Sequence, residues 1–202
     1  MTSTPPAFES VLFARVLSGI EDLRGETAVC ALSLFVCCEE EGPTDLPALN
    51  LGYNTRAFFT VKALEAHPFR YDPTAKTLDL YGGPAEDERE ARWNPACWKD
   101  QWFRQLRERG EPPDREFIAS RARWVAEQEG DGDTMWSAFV EIVERIAFRL
   151  HDEGHLARIL GNAVPVIVLD VDRSAWAVDL TLRANPRDLV AEYPAWAHRE
   201  PT

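Results

Sequence analysis

The segment Thr27–Cys38, TAVCALSLFVCC, constrains the fold more than any other part of the chain. It is rich in apolar and β-branched residues, and apolar side chains occupy both of its alternating faces. A strand of this kind needs cover on both sides, because apolar surface is unfavourable in water. The run is too short for the roughly 20 apolar residues of a membrane helix. We therefore predict a central strand with other elements packed on both faces of its sheet.

Helical periodicity marks three further segments. Apolar residues recur at helical spacing from Phe8 to Leu23. The segment Asp114–Glu129 predicts a second helix, and Thr134–His151 has the longest apolar stripe in the chain. On that last segment Glu141 and Arg145 are four residues apart, the spacing of a supporting ion pair on a helix.

Other stretches predict strands and short helices. The stretches ALNLGYN (48–54) and KTLDLYGG (76–83) fit strands, and VPVIVLDV (164–171) with AWAVDLTL (175–182) fits a β-hairpin. Asn54, Asn94 and Asn185 each fit a helix N-cap, predicting helices over 55–66, from 95 to about 110, and over 186–192. Strands mixed unevenly with helices predict a single α+β domain over residues 1–202, with a mixed or mostly antiparallel sheet and loose tails at 1–6 and 197–202.

The charge balance limits the partners that the chain can bind. The 34 acidic residues exceed the 22 basic ones, for a net charge of −12 over 202 residues. Such a chain repels nucleic acid and anionic membranes, so neither is an expected partner. An acidic patch such as Glu39, Glu40 and Glu41 instead favours a basic protein partner.

The most suggestive catalytic pattern is HDEGH, with His151 and His155 four residues apart. On one continuous helix this spacing can bind zinc, with a glutamate after the first histidine activating water. Here Asp152 takes the place of that glutamate, and Gly154 is where the helix should end in a left-handed residue. We expect the two imidazoles to separate, so we predict no metal site and no cofactor, and His151 and His155 stay the candidates if the fold supplies a third ligand.

The remaining motifs favour structural roles. Asp170 and Asp172 end an apolar strand as in haloacid-dehalogenase-type enzymes, but too few residues follow for the parallel strands of such a site. The four cysteines lack metal-ligand spacing and are expected to be reduced thiols. The N-terminal residues have no basic leader or apolar signal core, which predicts a cytoplasmic protein.

Tryptophan is abundant, with seven in the chain. Most should be core residues, but an exposed subset can anchor a protein partner, because indole rings bury a large area at an interface. The candidates are Trp93, Trp98 and Trp196.

The order of LNLGYNT (49–55), RWNPACW (92–98), an apolar strand ending in Asp170 and then ANP (184–186) resembles a family of uncharacterised bacterial proteins, domain of unknown function 4303. The resemblance covers most of the chain. It implies a small intracellular α+β protein and supplies no catalytic residues to carry over.

Three functions remain open. The first is a non-catalytic, acidic protein-interaction module in the cytosol, of the immunity type that inhibits a toxin. The second is a metal-dependent hydrolase using His151, His155 and nearby carboxylates. The third is a small-ligand sensor. The sequence leaves the oligomeric state open.

Overall fold

The computed structural model describes residues 7–38, 46–56, 88–95, 98, 104–105, 115–128, 132–170 and 174–197. These residues form an α+β fold with one mixed sheet, as predicted. The helices are α1 (Phe8–Glu21), α2 (Glu88–Trp93), α3 (Arg115–Glu127), α4 (Gly132–Asp152), α5 (His155–Leu160), α6 (Ser174–Ala184) and α7 (Tyr193–Ala197). The strands are β1 (Val29–Cys38), β2 (Pro47–Thr55), β3 (Arg104–Gln105) and β4 (Val166–Asp170).

Strand β1 lies inside the sheet, as its sequence predicts. In the described residues the strand order is β3-β2-β1-β4, so β1 has a neighbour on each side. It runs antiparallel to β2 and parallel to β4, and Leu34 is the partner of both Leu51 and Val168. Every residue from Ala31 to Val36 is buried. The prediction of a central strand covered on both faces is confirmed.

The larger core lies on one face of the sheet, where Leu32, Leu34 and Val36 of β1 meet α1, α4 and α5. All the stripe residues predicted on α4 are buried there: Trp136, Phe139, Val140, Val143, Ile146, Ala147 and Leu150. The predicted pair of Arg145 and Glu141 is present at 3.9 Å, although Arg145 lies closer to Glu9 of α1, at 2.9 Å.

A smaller cluster covers the other face of the sheet. Its buried members are Ala31, Trp93, Trp98, Ile167, Val190 and Tyr193. Helix α6 lies beside β4 and contributes to both layers, because Leu180 and Ala184 join the larger core while Val178 and Leu182 pack against the smaller cluster.

The predicted β-hairpin near the C-terminus is wrong. Only its first half is a strand, β4, and the second half is helix α6. The run from Val178 to Leu182 alternates apolar and polar residues as a strand would. The same residues suit a helix at the edge of a sheet, because Val178 and Leu182 turn to one core layer while Leu180 turns to the other.

Two of the predicted asparagine-capped helices are also wrong. Asn94 follows the end of α2, and after it Trp98 N donates to Pro95 O at 3.1 Å in a single turn. Strand β3 lies where the helix was expected to continue. After Asn185 the chain forms turns, and a helix begins only at Tyr193.

Several predictions lie outside the described residues. They are the helix over 55–66 apart from its first two positions, the strand over 76–83, and the two tails apart from Ala197, which ends α7.

Candidate functional site

The two histidines of the HDEGH motif lie on different helices. Helix α4 ends at Asp152, and α5 begins at His155. Between them Gly154 has φ 67° and ψ 20°, the left-handed conformation that glycine adopts without the clash of a Cβ. The prediction that the helix ends at this glycine is confirmed.

His151 is half-buried and contacts an asparagine from the far end of α6. Its Nε2 lies 3.0 Å from Oδ1 of Asn185. Because the amide nitrogen of Asn185 is already donating to two carbonyl oxygens, Oδ1 is the atom that faces the ring, and Nε2 must carry the hydrogen. Burial lowers the pKa of His151, more strongly than the Asn185 hydrogen bond and the charge of Asp188 raise it.

Asn185 is buried, and all of its hydrogen-bonding groups are used. Its Oδ1 accepts from Val166 N at 2.7 Å, and its Nδ2 donates to Val166 O and to Thr181 O, each at 2.7 Å. One side chain thus occupies both main-chain groups of a strand residue, as a neighbouring strand would.

Thr181, one helical turn before Asn185, forms hydrogen bonds of the same kind with the next residue of β4 whose main-chain groups face away from β1. Its Oγ1 accepts from Val168 N at 3.0 Å and lies 3.3 Å from Val168 O. Its side chain also hydrogen-bonds Tyr193, whose pKa is nevertheless raised because burial outweighs that bond. The side chains of Thr181 and Asn185 therefore hydrogen-bond the main chain of β4 along the edge that faces away from β1. An edge strand without such partners can pair with a strand of another chain.

His155 has a separate set of partners. Its Nε2 lies 2.9 Å from Glu153 Oε2, and Arg158 donates to its Nδ1. A ring that accepts at Nδ1 carries its hydrogen on Nε2, so Glu153 is the acceptor. The ring also meets the edge of Phe13 at 5.4 Å between centroids.

The two histidines therefore do not present two free imidazole nitrogens to a cation. Each Nε2 is directed at an oxygen of the protein, one an amide and the other a carboxylate. Within the described part of the chain, no group of three or more His, Cys, Asp or Glu residues could hold a metal ion.

The structure corrects the prediction that Trp93 and Trp98 are exposed anchors for a partner. Trp93 is 1% and Trp98 8% exposed, and both belong to the smaller core cluster. Trp93 meets Tyr193 edge-on at 5.6 Å, and the guanidinium of Arg92 covers its ring at 4.4 Å. They are buried because α2 lies over the second face of the sheet, which the sequence alone did not indicate.

The other candidates differ in how far the structure reaches them. Glu39, Glu40 and Glu41 lie outside the described residues. Trp196 is partly exposed and packs against Tyr193 at 5.6 Å. Cys30 is a free thiol, and burial raises its pKa to about 12, which keeps it protonated and unreactive at neutral pH.

Sequence reasoning missed Thr181 and Asn185 as a functional unit of the fold. The two residues are four apart in the sequence, but the predicted strand over 175–182 and the predicted N-cap at Asn185 assign them to different elements. A polar pair at four-residue spacing within an apolar helix face is the signal that indicates them.

Comparisons with protein-family models, with curated proteins and with solved structures each gave no match. The resemblance to domain of unknown function 4303 therefore stays a prediction. In the described ranges, no helix has both the length and the apolar character that a membrane crossing requires.

Proposed function

We propose that this chain is a non-catalytic, cytosolic protein-interaction module of the immunity type, whose partner is a basic protein. The observation that carries the proposal is the net charge of −12. A charge of this sign steers a basic partner into contact and repels nucleic acid.

The ion pairs of the described surface support this proposal. Arg145 binds Glu9, Arg183 binds Glu144 at 2.6 Å, and Arg92 binds Glu192 at 3.1 Å, and each pair joins residues that are far apart in the chain. Each such pair is neutral and serves the fold. Most of the excess acidic residues lie at sequence positions outside the described ranges, among them the run Glu39–Glu41.

The groups best suited to catalysis support a non-catalytic role. His151 and His155 direct Nε2 at protein oxygens, and the thiol of Cys30 is held protonated. The hydrolase alternative requires free imidazole nitrogens, and these two are engaged.

The test is capture of a partner from a native lysate with matched charge variants. The first variant combines Glu39→Gln, Glu40→Gln and Glu41→Gln. The control removes the same charge from three other exposed positions, with Glu21→Gln, Glu26→Gln and Asp152→Asn. We expect the wild type and the control to retain a protein of basic sequence, with binding that weakens as salt rises, and the first variant to lose it.

Two results would contradict the proposal. One is a wild-type protein that retains no basic partner at low salt. The other is equal loss of the partner in both variants, which would show that total charge alone, and no particular surface, is responsible.

A further inference from the structure

We draw no further inference here: the strongest candidate, the apolar outer face of α3 formed by Ile118, Ala119, Ala122, Val125 and Ala126, lies away from the Phe117 and Trp124 side that packs on Phe8 of α1, and nothing in the described part of the chain shows what covers it.

Discussion

Replacing Asn185 with alanine should be among the most damaging single substitutions in the fold. Its amide is the partner of both main-chain groups of Val166, which is 0% exposed. Without it a buried N–H and a buried C=O lose their partners at once. At about 1–3 kcal/mol for each group, Asn185→Ala should cost about 2–6 kcal/mol of unfolding free energy. Domains have about 5–15 kcal/mol in total, so the variant should lose a large share of its stability.

The measurement is urea denaturation followed by tryptophan fluorescence, comparing midpoints and m-values. Asn162→Ala is the matched control, because Asn162 is exposed and its Nδ2 donates to Ala163 O at 3.3 Å. It should change stability by less than about 0.5 kcal/mol. Asn185→Asp keeps the shape but turns an oxygen toward the carbonyls of Val166 and Thr181, and should be at least as unstable as Asn185→Ala. A loss below about 1 kcal/mol for Asn185→Ala would refute the reasoning that the amide seals the strand edge.

Three further predictions follow from the same geometry. Burial lowers the pKa of His151 below its ordinary 6.5, so the unfolded chain takes up the proton first and stability should fall as the pH drops through about 6.5. His151→Gln should flatten that part of the pH profile of urea midpoints. A variant with the same profile as the wild type would contradict this assignment. Cys30, with its pKa raised to about 12, should resist iodoacetamide at pH 8 in the folded protein and react in urea. Peptide mass spectrometry measures the labelling. Rapid labelling of the folded protein would count against the burial of this thiol. Thr181→Val removes the partner of Val168 N and should lower the free energy of unfolding by about 1–3 kcal/mol. Arg183→Gln breaks a surface ion pair and should lower it by less than about 1 kcal/mol. Equal losses of unfolding free energy would show that the contact with the edge of β4 is unimportant.

Local sequence patterns determined the elements in which a long run of residues follows one pattern. The stripe of α4 is long and fits helical periodicity only, whereas β1 is marked by a β-branched, apolar run on both of its faces. The stop at Gly154 also follows from local physics, because glycine alone enters the left-handed conformation without a steric penalty. Separation of His151 from His155 onto two helices was therefore predictable.

Tertiary structure decided what the short and ambiguous segments became. The alternation from Val178 to Leu182 fits a strand or an edge helix equally well, and the open side of β4 selects the helix, since Thr181 and Asn185 can then bond its main chain. Trp93 is a core residue because α2 lies on the second sheet face, where Asn54 Nδ2 bonds Ala91 O at 2.8 Å. Contacts between residues far apart in the chain have no signature in local periodicity, and for that reason the bonds of Thr181 and Asn185 to β4 appear only in the folded protein.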